Sequence, residues 1–423
     1  MLKLNGKTIE SLYLKNKTIN KAYVNGKLIF NKTKLTKPYY CEVEYLESTG
    51  AQFIDTDVYS KDINYIEVEA QYTKINARQV LLGCYTSQAW NTFGATNVTS
   101  VYENFFIQWI NAGDYGGSVV CDTNKHLFVF DKKSKKFSVD GSIYMLEEIY
   151  DVNDTLYMFS SHSGSTIDRQ AFARIYRVKL KNNDNLVRDY IPVLDFDMQP
   201  CLYDKVSGKL FYNQGTGSFL CGRQIHEVEY IESTGEQYID TGLLSTANST
   251  VDVTFNLSDT TKTSSNNVAI FGGRENSTAR TFTYFFLAST SPQYFRFDFK
   301  GQSQIGSSNE MAIDENSKYR FTFDGQTIQT TNLTTNESVT KSLTASDLFT
   351  PYPISLFAVN TAGTIGTYLK GKIYNYKYSD GTNSIDLYPA VDENGKSFMF
   401  DRISHTIFDN SGTGEFLYPP VEL

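Results

Sequence analysis

No stretch of this 423-residue chain approaches the roughly 20 consecutive apolar residues of a bilayer-spanning helix, so no such helix is expected. The opening, MLKLNGKTIE, has no apolar core of the kind a secretory signal needs, and none is expected. Cysteine is scarce: Cys41, Cys84, Cys121, Cys201 and Cys221, an odd number without a CxxC spacing. The four histidines (His126, His162, His226, His405) stand far apart, which leaves zinc binding and histidine-based nucleophilic catalysis without support. No glycine-rich phosphate loop sits between a strand and a helix, and no long segment keeps a 3.6-residue apolar period.

What the chain does have is repetition. Glu42–Thr56 (EVEYLESTGAQFIDT) and Glu227–Thr241 (EVEYIESTGEQYIDT) agree at twelve of fifteen positions, 185 residues apart. Pro192–Leu220 (PVLDFDMQPCLYDKVSGKLFYNQGTGSFL) aligns without a gap to Pro389–Leu417 (PAVDENGKSFMFDRISHTIFDNSGTGEFL), 197 residues apart. Motifs that open and close each half mark two copies of one domain, at residues 41–222 and 226–423. The second copy carries His226, Phe398 and Tyr418 where the first has Cys41, Cys201 and Cys221. A fold built without those cysteines in one copy does not need them as a disulfide framework in the other, so reduced thiols are expected.

A shorter repeat precedes both. Leu4–Ile9, Leu14–Ile19 and Val24–Ile29 recur every ten residues, two of them as Asn-Gly flanked by apolar positions, the strongest short-range hairpin signal. Residues 1–30 therefore read as a small β-hairpin repeat, followed by a linker at 31–40. Three such units bury too little to stand alone. Leu4, Ile9, Leu14, Ile19, Val24 and Ile29 are expected to form the face that attaches them to a partner. Residues 1–40 hold nine lysines, one glutamate and no arginine, which leaves 30 basic against 46 acidic side chains on the remainder. Lysines spaced along patterned strands read as a solvated face or a dock for an acidic partner, not a nucleic-acid site.

Within the large copies the alternation is that of strands. Ile66, Val68, Ala70 and Tyr72 match Val251, Val253, Phe255 and Leu257; HLFVFD at 126–131 matches YRFTFD at 319–324; ARIYRVKL at 173–180 matches GKIYNYKY at 371–378. Aromatic content of 14% and abundant Ser, Thr and Asn fit the same reading. The expected fold is all-β: two tandem antiparallel β-sandwiches behind the small N-terminal repeat.

The YLESTGAQFIDT opening, the GKIYNYKY strand and the YDKVSGKLFYNQGTGSFL close resemble laminin-G-like, concanavalin A-like jelly-roll domains of gut-bacterial phage and prophage virion proteins. The resemblance covers about 41–220 and 226–418, and the ten-residue units are similar to those ahead of such domains. It implies a bacteriophage structural protein (a fibre, appendage or decoration of head or tail) whose jelly rolls bind host surface carbohydrate during adsorption. Its implied partners are other virion proteins through the N-terminal repeat, further copies of the chain, and host glycans. Neither nucleic acid nor membrane insertion is implied, and the implied location is the virion after synthesis in the host cytoplasm.

The fold class includes glycan-cleaving enzymes, which use two carboxylates about 5–5.5 Å or 6.5–9.5 Å apart. Glu67 and Glu69 share a strand face, but their counterparts are Asp252 and Thr254, so the pair is not repeated. Glu42 and Glu44 recur as Glu227 and Glu229 at the polar positions of an opening strand. The expectation is no enzyme; the alternatives are a decoration without a ligand and a depolymerase. No cofactor is expected. Calcium, which such jelly rolls sometimes hold, is kept open at Asp151, Asn153 and Asp154 or at Asp392, Glu393 and Asn394. Ser48-Thr49-Gly50 and Ser233-Thr234-Gly235 read as turn chemistry. Glycan contact is expected at exposed aromatic faces, with Trp90, Trp109, Tyr115, Tyr284 and Tyr294 as candidates.

Overall fold

The computed structural model describes residues 37–421 except 76, 88, 96–103, 112–118, 262, 264–266, 279, 280, 300, 301, 306–310, 312 and 344–348. Ahead of residue 37 it describes only the strand backbones. Those strands make three separate antiparallel hairpins, each inside its own ten-residue unit. Lys3–Leu4 pairs with Lys7–Thr8, Leu12–Leu14 with Lys17–Ile19, and Lys21–Val24 with Lys27–Asn31. Leu4 faces Lys7 and Val24 faces Lys27, while the Asn-Gly pairs at 5–6 and 25–26 lie outside the described residues. Leu4, Leu14, Ile19, Val24 and Ile29 lie on these strands, whereas Ile9 falls outside the described residues.

The chain divides into two compact units, Met1–Arg223 and Gln224–Leu423. In the first, one sheet runs Ser142–Met145, Lys136–Val139, Lys125–Asp131, Tyr65–Tyr72, Phe172–Asn182, with Leu46–Thr49 and Asn185–Leu194 both joining the last. Its second sheet runs Phe105–Asn111, Ala89–Ala95, Gln79–Tyr85, Thr155–Met158, Ile54–Tyr59. The second unit repeats the order. Glu337–Ser342, Thr327–Asn332, Lys318–Phe323, Thr250–Leu257 and Lys370–Ser379 make one sheet. Tyr294–Phe299, Phe282–Leu287, Val268–Arg274, Ser355–Leu356 and Ile239–Asp240 make the spine of the other. Each unit is an antiparallel jelly-roll sandwich.

The two sheets of each unit close on an apolar core because their strands alternate. Ile66, Val68, Ala70 and Tyr72 point inward, as do Val251, Val253, Phe255 and Leu257. Rings from opposing sheets meet there: Tyr284 stacks on Phe321 at 3.9 Å between centroids, and Trp109 lies 4.8 Å from Phe130. The copies even share a defect. Register slips between Glu69 and Ala70 against Phe172–Asn182, and between Thr254 and Phe255 against Lys370–Ser379. The extra residue is Tyr176 in one case and Tyr374 in the other, each turned beneath a lysine (Lys125 at 4.1 Å, Lys318 at 3.6 Å).

Candidate functional site

The residues retained between copies build a clasp that ties the start of each domain to its end. Gln52 is buried, and its Oε1 accepts from the Thr49 N–H at 2.8 Å and the Ser48 hydroxyl at 3.2 Å, while Nε2 donates to the Ser218 carbonyl at 3.2 Å. Asn213 Oδ1 accepts from the Phe53 and Gly215 N–H groups at 3.2 and 2.8 Å, and Nδ2 donates to the Gly217 carbonyl. Gln237 and Asn410 do the same work in the second unit, the former for Thr234 and Ser233 and the latter for Tyr238, Gly412 and Gly414. A Cβ on Gly215 or Gly412 would collide with the carbonyl of Ala51 or Glu236, which explains the invariant Gly in both closing motifs. The Ser-Thr-Gly turn is thus structural, and Gln52 and Gln237, which sequence reasoning did not single out, are its centre.

Two buried aspartates follow the same logic. Asp204 Oδ1 accepts from the Asp189 and Val206 N–H groups, and Asp401 Oδ1 from those of Asp386 and Ile403. Asp392 accepts from Asn394 and Lys396 at 2.9 Å each, as Asp195 does from Asp197 and Gln199, so this carboxylate is an Asx turn. Of the other oxygen donors considered for calcium, Glu393 accepts from the Gln224 N–H. Asp151 accepts from Trp109 Nε1 at 3.3 Å and from Lys132, and Asp154 from the Thr155 N–H. Among the described residues no three His, Cys, Asp or Glu side chains gather around one point.

The carboxylates weighed for catalysis each face a cation. Glu67 accepts from Lys179 and Tyr65, and Glu69 pairs with Lys125 at 3.0 Å. Burial raises the Glu69 pKa, against the pull of Lys125. Glu42 bonds Tyr39 and Lys37, Glu44 lies 3.8 Å from Arg223, Glu227 pairs with Arg402 and Glu229 with Lys318. None of the five cysteines is in a disulfide; burial pushes the Cys84 and Cys201 thiols up to about 12.

The aromatic candidates separate sharply. Trp109 and Tyr284 present no face to solvent: both are fully buried, Trp109 within the core and Tyr284 with its hydroxyl on Thr330 at 2.8 Å. Their strands, FFIQWIN and FTYFFL, carry apolar residues on both faces, and the inward set includes these two rings. Tyr115 lies outside the described residues. Trp90 and Tyr294 are partly exposed, and both stand on the outer face of their unit's second sheet. Trp90 stacks on Tyr85 at 4.3 Å and 6°, with the Arg169 guanidinium 4.0 Å above its ring and Arg78 at 6.0 Å. Tyr294 is two residues from Arg296, whose guanidinium lies 5.2 Å from Phe285, with Arg274 at 5.3 Å from the same ring.

This outer face has a common floor. Gly83, Thr92 and Gln108 are cross-strand neighbours in the first unit, and Gly272, Thr283 and Asp298 in the second. A Cβ on either glycine would strike the threonine side chain, so glycine is what lets the two central strands carry that threonine. An arginine reaches the third position in both: Arg78 donates to Gln108, and Arg296 to Asp298 at 3.0 Å. Beside each clasp there is also a shallow hollow, about 290 Å³ at Asp55, Asp57, Phe211 and Tyr212 and about 280 Å³ at Glu236, Tyr238, Tyr368 and Thr413.

Sheets and clasps together define a tandem jelly-roll protein. No protein-family model matches the chain, and no curated protein matches it. Among solved structures it is similar to the mouse laminin alpha1 chain, domains LG4-5, at 11% identity and a TM-score of 0.28, over 92% of this chain and 97% of that one. A likeness at that score carries no argument, and the fold stands on the sheets and cores themselves.

Proposed function

We propose that the chain is a non-catalytic structural protein of a bacteriophage or prophage virion, whose two sandwiches meet carbohydrate on the host surface. Residues 1–30 hold it to other virion proteins, or to further copies of itself, and the sandwiches project outward. The observation that carries this reading is the duplication: one sandwich built twice behind three hairpins that, among the described residues, pair within themselves. Two linked weak sites, multiplied over many copies, raise avidity without new contacts, which suits adsorption. Of the polar residues retained in both copies, Gln52 and Gln237, Asn213 and Asn410, and Asp204 and Asp401 are engaged with backbone groups, and the retained glutamates face cations, which favours a binding or structural role over chemistry that the duplication preserved. The opening and closing motifs supply the virion part of the reading through their resemblance to phage jelly rolls.

The test is direct. Antibody labelling should place the protein on purified particles, and the purified chain should bind host cells and a glycan array. Labelled particles with no cell or glycan binding would leave a decoration without a ligand. Sugar release from host polysaccharide that depends on Glu67 or Glu69 would make it a depolymerase.

A further inference from the structure

We propose that the hollow beside the second unit's clasp binds one ring of a neutral sugar, which lies against Tyr238 and Tyr368 and donates hydroxyl hydrogen bonds to Glu236. The inference rests on the glycan-binding reading and gives it a site and a ligand class.

Glu236, Tyr238 and Asp240 alternate with the buried Gln237 and Ile239, so their side chains leave one face of an extended segment. The closing loop lies flush along that segment. The Ser411 N–H donates to the Tyr238 carbonyl at 2.8 Å and the Thr413 N–H to that of Glu236 at 3.2 Å. Tyr368 lines the hollow too, fixed by its neighbour Leu369, whose N–H donates to the Phe357 carbonyl at 2.7 Å. The Tyr238 and Tyr368 ring centroids are 6.3 Å apart with their planes at 58°, an open V. Among the described residues no further ring and no cation covers either of them, and neither hydroxyl has a protein partner. Burial, reinforced by Asp240 and Tyr368, raises the Tyr238 pKa and keeps its hydroxyl a donor as well as an acceptor. Glu236 is exposed; it accepts from the Thr413 hydroxyl at 2.9 Å, and no cation among the described residues pairs with it.

The first unit shows which of these residues the fold needs. The two opening motifs differ at three of fifteen positions, and two of the three line this hollow: Ala51 and Phe53 stand where the second unit has Glu236 and Tyr238. The Ala171 N–H donates to the Phe159 carbonyl as that of Leu369 does to Phe357, so Gln170 is the counterpart of Tyr368. Phe53 instead stacks on Tyr157 at 5.6 Å and 16°, and Tyr157 lies 3.7 Å from the His162 ring. The first unit nevertheless builds the same clasp. Glu236, Tyr238 and Tyr368 are therefore not required by it, and they gather in one hollow, where they add a carboxylate, a hydroxyl and a ring. At about 280 Å³ the hollow lies at the small end of ligand sites and suits a single sugar ring. The C–H face of a pyranose packs against an aromatic ring, and its hydroxyls donate to an ionised carboxylate, which only accepts. The charges of Glu236 and Asp240 on one face disfavour an acidic sugar.

The experiment is calorimetric titration of the full chain with dextran, galactan, mannan and chitin oligosaccharides, with oligogalacturonate as the acidic counterpart, alongside binding to host cells. At least one neutral oligosaccharide should bind, with little change as salt rises, and oligogalacturonate should bind at least tenfold more weakly. Glu236→Ala with Tyr238→Phe installs the residues that the first unit already carries in the same clasp, and should weaken binding at least tenfold without lowering the urea midpoint of the second unit. Tyr368→Ala, outside the clasp, should weaken it by a similar factor and serves should the double variant fail to fold. Neutral-sugar binding that these variants leave unchanged would overturn the proposal and spare the glycan-binding reading. So would binding of oligogalacturonate alone, or of host cells with none of the neutral oligosaccharides. No binding to any saccharide or to host cells would overturn both.

Discussion

Replacing Gln52 by Ala tests whether the clasp holds a domain together. The side chain is buried, and its loss strands the Thr49 N–H, now bonded at 2.8 Å, and the Ser218 carbonyl, now bonded at 3.2 Å. Thr49 and Ser218 are themselves exposed, so water reaches both groups and the cost is that of two lost hydrogen bonds at about 0.5–1.5 kcal/mol each, about 1–3 kcal/mol in total. At about 2–4 °C per kcal/mol for a domain of this size, the first unit should melt about 2–12 °C lower. Both tryptophans, Trp90 and Trp109, lie in the first unit, so their fluorescence reports that unit while far-ultraviolet circular dichroism reports both. Gln52→Ala should move the fluorescence transition to lower urea. Gln237→Ala should leave it in place and shift the rest of the dichroism change. A Gln52→Ala effect within about 0.5 kcal/mol, as for an ordinary surface substitution, would refute the clasp.

Three further outcomes are expected. His126 sits between Asp140 at 2.6 Å and Asp122 at 2.7 Å; burial alone would lower its pKa, but the two carboxylates outweigh it and raise it above 6.5. Its stabilisation is therefore full below about pH 6.5 and is lost as pH rises through the raised value, so urea midpoints of the first unit should fall over that window in the native chain but not in His126→Gln. Trp109→Ala should cost about 3–5 kcal/mol as a core truncation, while Trp90→Ala, on the outer face, should cost much less; equal costs would contradict the placement of the two rings. The Cys84 and Cys201 thiols, buried and raised to about 12, should resist a thiol reagent at pH 8 until urea unfolds the first unit, and immediate labelling at either of these two positions, located by peptide mapping apart from the less buried Cys121 and Cys221, would count against their burial.

Much of the fold was legible because the chain states it twice. Alternation at 66–72 and 251–257 predicts inward and outward residues that the cores reproduce, and the ten-residue repeat predicts antiparallel strand pairs such as Lys3–Leu4 with Lys7–Thr8 and Lys21–Val24 with Lys27–Asn31. The site was less legible. Alternation fails where both faces of a strand are apolar, as in FFIQWIN, so Trp109 could not be assigned to the core from its neighbours. Gln52 carries no chemical tag, and only its repetition as Gln237 at the same offset signals its role. The arginines on the outer face come from four unrelated positions, and nothing short of the strand registers brings Arg78 to Gln108 or Arg296 to Asp298.

The central claim is a division of labour: the hairpins attach and the sandwiches bind. The measurement that tests it most directly is deletion of residues 1–30 from the gene in the phage or prophage that the proposed function calls for, with the protein then sought on purified particles and its binding to host cells measured. The account predicts a folded, soluble protein that still binds cells and is absent from particles. Truncated protein incorporated at the normal level, or cell binding lost with the hairpins, would contradict it.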